Sequence, residues 1–328
     1  MNYKSFADLS HDITQNLFKL HSGDYDLIVG IPRSGMVPAY MIGLYLNINV
    51  TSLDAFIQNR KLTSGITRQT KTNLVFAQDA KRVLLVDDSI NTGKSLVSAL
   101  ADIPKEYKGD ITTCAIYSDT KKRQDVDIYL EYIPMPRVFE WNIFHRKLMQ
   151  SACLDIDGVL CIDPTKPQND DGDRYIDFIL NAKPLYIPSS KVNALVTSRL
   201  EKYRPQTVQW LQDNKVQYDN LIMLDLPNKE ERQRLGAHAS HKANYYIKSE
   251  TTLFIESETN QALAIMKASG KPVYCTGNNT MYSPNLTQVI TKSPETAIKR
   301  IKGLVASRLP APLKKRLKPI YNGLLPNR

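Results

Sequence analysis

Apolar residues recur along this chain in two rhythms. Phe6, Leu9, Ile13, Leu17 and Leu20 return at helical spacing, which predicts an amphipathic helix near the N-terminus. Short, largely apolar runs follow at 26–31, 82–86 and 111–117, and runs of that length read as buried strands. Helical patterns at 36–46 and 94–100 lie between them. A second series of apolar runs begins at 152–156 and continues at 193–196, 221–224, 252–255 and 272–275, separated by helical patterns such as 205–213 and 260–268. This alternation predicts α/β layering around largely parallel sheets. Each series starts with its own polar loop motif, so the pattern predicts two Rossmann-like domains, 1–147 and 148–293. The remaining segment, 294–328, is helix-like until Pro310, Pro312 and Pro319 interrupt it.

Composition agrees and adds little. The chain has 328 residues, 42% hydrophobic and 23% charged, which excludes a disordered, collagen-like or coiled-coil chain. Charge changes the picture more. The net charge is +10, but Lys299, Arg300, Lys302, Arg308, Lys314, Lys315, Arg316, Lys318 and Arg328 all lie after the last acid, Glu295. The rest of the chain is therefore close to neutral, and no nucleic-acid partner is expected. The basic C-terminal segment interleaves Leu304, Leu309, Leu313, Leu317 and Ile320 with its cations, which suits an anionic membrane surface or a solvated tail. Cys114, Cys153, Cys161 and Cys275 form no CxxC pair and read as free thiols in a reducing compartment. No signal-peptide pattern or membrane-length apolar run occurs, so a cytoplasmic location is expected, either free or peripheral to the inner face of a membrane.

The polar loops carry the chemistry. The run 83–95 places Asp87 and Asp88 at the end of a buried strand, then Ser89, Ile90, Asn91, Thr92, Gly93, Lys94 and Ser95 at the start of a helix. Unpaired backbone N–H groups at a helix N-terminus favour an anion, and Thr92 and Ser95 add hydroxyl donors. Thr92-Gly93-Lys94-Ser95 ends like a Walker A loop, but that motif needs glycine where this chain has Asp88. The stretch instead resembles the 5-phosphoribosyl 1-diphosphate (PRPP) signature of type I phosphoribosyltransferases. The resemblance implies that Asp87 and Asp88 hold the ribose hydroxyls and that 89–95 cradles the 5-phosphate. Arg33, Ser34 and Gly35, in the loop after the first strand, resemble the family's pyrophosphate loop, with Ser-Gly in place of the commoner Gly-Gly. The acid-free stretch 59–72, with Arg60, Lys61, Arg68 and Lys71, reads by itself as a solvated basic loop; beside the two phosphate motifs it resembles the family's mobile loop, which closes over the diphosphate. An acceptor hood is expected from the N-terminal helix and from 137–145, where Phe139 and Trp141 could stack on an acceptor or simply pack internally.

The second series opens on Asp155-Ile156-Asp157-Gly158-Val159 after a strand. Read by itself, this is either a turn or a pair of carboxylates aimed the same way. It resembles the first motif of haloacid dehalogenase (HAD)-type phosphatases. The resemblance implies Asp155 as nucleophile, Asp157 as general acid and base, Thr197 as a donor to the phosphoryl group, and Lys242 as the third-motif cation, with Lys248 and Lys229 as rivals. It implies Mg2+ held by Asp155, Asp157 and Glu256, where Glu256 departs from the usual aspartates and Glu258 is the fallback. Little chain is available for a cap, so an open site is expected. The fused pair resembles bacterial ribofuranosyltransferases of polysaccharide biosynthesis. That implies a bifunctional enzyme: PRPP donates ribose 5-phosphate to a glycan or lipid-linked saccharide, diphosphate leaves, and the 5-phosphate is then hydrolysed. A nucleobase or orotate phosphoribosyltransferase with a nucleotidase domain, and a PRPP-sensing regulator, are the alternatives.

Overall fold

The computed structural model describes residues 1–21, 24–63, 65, 67 and 69–284. Arg68 and the whole basic segment 294–328 lie outside the described residues. The chain divides into two compact units, Met1–Trp141 and Asn142–Arg328, a few residues before the expected boundary.

In the first unit the order is β1 (Asn2–Lys4), α1 (Phe6–Gln15), α2 (Phe18–His21), β2 (Leu27–Gly30), α3 (Met36–Leu46), β3 (Asn49–Ser52) and α4 (Leu53–Ile57), then β4 (Arg82–Ile90), α5 (Lys94–Ala101), β5 (Asp110–Ser118), β6 (Ile128–Tyr132) and β7 (Arg137–Phe139). The expected N-terminal helix breaks in two. Asn16 ends α1, and its side-chain amide donates back to Asp12 O and across to Glu131, both at 2.8 Å. Ser5 caps α1 with a reciprocal contact to Asp8.

Strands β3-β2-β4-β5-β6 form a parallel sheet with a core on each face. β1 and β7 pair separately in a short parallel ribbon. After β2 the chain adds β3 on one side and later β4 on the other. The carboxyl ends of β2 and β4 thus flank the crevice where open α/β sheets bind ligands. The short strands β1, β3 and β7 carry no apolar run that would announce them, and β6 was not among the expected strands although it opens on Ile128-Tyr129-Leu130.

The second unit contains β8 (Ala152–Leu154), α6 (Asp173–Asn181), β9 (Val192–Leu200), α7 (Arg204–Asp213), β10 (Tyr218–Leu224), α8 (Lys229–Arg234), α9 (Ala237–Lys248), β11 (Leu253–Glu256), α10 (Thr259–Ser269), β12 (Val273–Cys275) and β13 (Thr280–Tyr282). Its sheet runs β10-β9-β8-β11-β12-β13, parallel except for the edge strand β13. Cys153, Val196, Phe254 and Ile265 lie in its core. The order reverses between β8 and β11, which places the ends of those strands at the equivalent crevice.

Candidate functional sites

The first site is built on β2 and β4. β2 leads into Pro32-Arg33-Ser34-Gly35 and then α3, and the amide of Ile31 donates to Val86 O at 2.9 Å. A Cβ on Gly35 would lie 2.6 Å from Ile31 O and 2.7 Å from Val86 O, so only glycine lets the loop pass this close to β4. Arg33 is exposed at the loop. Ser34 Oγ donates to Asp88 Oδ1 at 2.7 Å and ties the loop to the strand.

β4 runs farther than its apolar pattern indicates, because Ser89 and Ile90 still pair with Tyr117 and Ser118 of β5. Adjacent residues of a strand face opposite ways, so Asp87 and Asp88 diverge. Asp87 joins Ser89–Ser95 in lining a cavity of about 200 Å³. Burial, reinforced by the neighbouring charge of Asp88, pushes its carboxyl up to about 7. Asp88 is buried and occupied elsewhere: besides Ser34, it accepts from Trp141 Nε1 at 2.8 Å. Gly93 takes φ +73° before α5, and a Cβ there would meet Asp125 Oδ2 at 2.5 Å.

The predicted hood is a stack of rings. Phe139 is 2% exposed, parallel to Tyr117 and Trp141 at centroid distances of 5.2 and 4.8 Å. It is core, and its ring has no face for an acceptor. Trp141 also meets Phe6 of α1. Of the predicted basic loop, Arg60 and Lys61 are exposed, with Lys61 in an isolated antiparallel bridge to Phe76. Lys71 is turned to Asp24 in an exposed ion pair. Arg137, the first residue of the expected hood segment, is buried and donates to Ile90 O at 2.7 Å and Tyr117 O at 3.3 Å. It pins the end of β4 at Ile90, where the polar loop into α5 begins.

Residues 2–148 match the family model of the phosphoribosyl transferase domain. This stretch is a phosphoribosyl transferase domain. The remainder of the chain lies outside that match. Similar solved structures include a purine phosphoribosyltransferase from Pyrococcus horikoshii Ot3, 21% identical over 43% of this chain and 92% of that one, with a TM-score of 0.32. A xanthine-guanine-hypoxanthine phosphoribosyltransferase from Helicobacter pylori is 17% identical over 43% of this chain and 93% of its own, also at 0.32. A hypothetical protein from Neisseria gonorrhoeae with bound ppGpp is 15% identical over 43% and 89%, at 0.32.

The second site lies beyond the phosphoribosyl transferase domain, at the ends of β8, β9 and β11. Asp155, Asp157, Thr197, Lys242 and Glu256 all line one cavity of about 260 Å³. Lys242, from α9, is 1% exposed and bridges Asp155 Oδ2 at 2.5 Å and Glu256 Oε2 at 2.6 Å, with Gln261 Oε1 at 3.0 Å. Two buried carboxylates hold its ammonium above the usual lysine range against the cost of burial. Burial pushes the Asp155 carboxyl up, and Lys242 opposes that rise. The rivals are elsewhere: Lys248 is exposed, and Lys229 donates to Asn169 O.

Asp157 is gripped by Arg199, whose Nη2 lies 2.6 Å from Oδ1 and whose Nε lies 3.2 and 3.3 Å from the two oxygens. Arg199 is fully buried within β9. Thr197 is 1% exposed, and its Oγ1 accepts from Arg199 N, so its own proton can be donated into the cavity. Gly158 has φ +73°, and a Cβ there would meet Ser257 Oγ at 2.2 Å. Glu258 is not a spare ligand: its two oxygens cap α10 at Asn260 N and Gln261 N.

The predicted metal set is not assembled as one shell. Among the described residues no group of three His, Cys, Asp or Glu side chains is placed to hold an ion. The Lys242 ammonium stands between Asp155 and Glu256, and Asp157 is turned to Arg199. In this arrangement the three carboxylates do not fit a divalent cation. Asp163, Arg232 and His238 also line the cavity, and no sequence pattern marked them.

Proposed function

We propose that this chain transfers the 5-phosphoribosyl group of PRPP to a saccharide hydroxyl and then removes the 5-phosphate at the second site. At the first site the acceptor oxygen bonds to C1 as the C1–O bond to diphosphate breaks. Diphosphate leaves with the electron pair, and the acceptor's proton passes to solvent or base. Asp87, at the wall of the 89–95 cavity, suits the ribose hydroxyls. A magnesium ion accompanying PRPP would neutralise the leaving diphosphate, and Asp87 is the hard oxygen donor suited to it. Arg33 is exposed where a diphosphate oxygen could be bound bidentately.

The observation that carries the second half is Lys242 bridging Asp155 and Glu256 in a cavity shared with Asp157 and Thr197. Asp155 then attacks phosphorus, the bond from phosphorus to the C5 oxygen breaks, and Asp157 protonates that oxygen. Water releases inorganic phosphate from the acyl phosphate with Asp157 as base. Phe139 and Trp141 stack on each other and offer no platform to either kind of acceptor, so the saccharide reading rests on the pairing of the two sites, since immediate removal of the 5-phosphate would waste a nucleotide. The basic segment 294–328 suits peripheral attachment to a membrane bearing such an acceptor. Among the described residues no helix is long and apolar enough to cross one.

The test is product analysis with PRPP, Mg2+ and lipid-linked saccharide or free-base acceptors. Diphosphate release with a ribosylated saccharide is expected, and Asp155→Asn should accumulate the 5-phosphorylated intermediate. Nucleotide formation from free bases, or phosphate-free product from that variant, would overturn the reading.

A further inference from the structure

Arg232 is an anomaly within the second cavity. It is 6% exposed, yet among the described residues no carboxylate lies within ion-pair distance of it. Its Nη1 donates to Ser198 O at 2.9 Å. Its Nε has no partner. Ser198 Oγ, buried on the same cavity wall, has none either. A buried guanidinium facing only neutral oxygens bears a desolvation cost that no countercharge offsets. Both orphan groups are hydrogen-bond donors beside a cavity, and an oxyanion would satisfy both. His238 lines the same cavity, and burial with the charges of Arg232 and Lys242 lowers its imidazole to about 4, so it presents a neutral ring.

We infer that Arg232 and Ser198 form an oxyanion subsite beside Asp155 that binds a phosphate oxygen of the substrate. The oxygen belongs either to the phosphoryl group being removed or to a second phosphate on the leaving portion. A planar fork with a free edge suits either one. The inference rests on the reading of this cavity as a phosphate-ester site, but it can be tested by binding alone.

The experiment compares inorganic phosphate affinity, by calorimetry, for the full chain and for Arg232→Met, Arg232→Lys and Ser198→Ala. Any phosphate bound at the first unit is common to all four proteins and drops out of the differences. Losing a charge-assisted contact should weaken binding about tenfold or more in Arg232→Met, with a smaller loss in Ser198→Ala. Turnover is then followed with methyl ribofuranoside 5-phosphate and with ribose 1,5-bisphosphate. An equal drop in kcat/KM on both assigns the subsite to the transferred phosphoryl group. A drop confined to the bisphosphate assigns it to a second phosphate. If no hydrolysis occurs but phosphate binding falls, the subsite stands and the phosphatase reading fails. Unchanged phosphate affinity together with unchanged turnover in folded Arg232→Met and Arg232→Lys would overturn the inference.

Discussion

The indole Nε1 of Trp141 donates to Asp88 Oδ2 at 2.8 Å, so the second carboxylate of the strand-end pair is held by the segment after β7. The first carboxylate, Asp87, is left to face the cavity. The two neighbouring acids thus differ in surroundings: Asp88 is tied to Ser34 and Trp141, and Asp87 is left at the cavity wall.

Trp141→Phe keeps the ring stack but removes the donor. Asp88 then keeps only Ser34, and a hydrogen bond to a charged group is worth ~1.5–3 kcal/mol. KM for PRPP should rise about tenfold with the fold intact by circular dichroism. An unchanged KM would show that Asp88 needs no such anchor.

Asp87 carries a pH signature. Its carboxyl is raised from 3.8 to about 7, so the folded state holds a proton that the unfolded chain releases. The stability cost of ionising Asp87 therefore grows as pH rises from about 4 to 7 and stays constant above that. Asp87→Asn should raise the melting temperature at pH 8, and the gain should shrink toward pH 4. Thermal denaturation at several pH values checks this, and a gain that grows on acidification would refute it.

Lys242→Met leaves Asp155 and Glu256 buried without their cation. Breaking such a pair costs about 3–5 kcal/mol, so the second unit should unfold at lower urea than in the parent chain. The double variant with Glu256→Gln should regain part of that loss, since one of the stranded charges is gone. Equal destabilisation in both variants would argue against the bridge.

Glu258 and Glu256 should separate cleanly. Glu258→Ala removes the cap of α10 and should cost about 1 kcal/mol of stability with little change in phosphate release. Glu256→Gln acts on the Lys242 bridge and should lower phosphate release strongly. Loss of turnover in Glu258→Ala without loss of stability would reverse these roles.

The periodicity of apolar residues was enough to establish two α/β sheets, their central strands and the loops after them, because buried parallel strands must be nearly continuous in hydrophobes. The motifs at Asp87–Ser95 and Asp155–Asp157 were legible for the same reason: each follows such a strand. Short strands such as β1 and β7 were not, since Asn2-Tyr3-Lys4 and Arg137-Val138-Phe139 include polar residues and make no apolar run. Tertiary structure alone decided which polar groups meet. It chose Lys242 over Lys229 and Lys248, sent Glu258 to cap a helix, buried Phe139, and brought Trp141 to Asp88 across 53 residues of sequence. Sequence order records what a strand end can offer. The partner that an isolated carboxylate or guanidinium finds depends on which helix the sheet packs against it, and that is fixed only when the chain closes on itself.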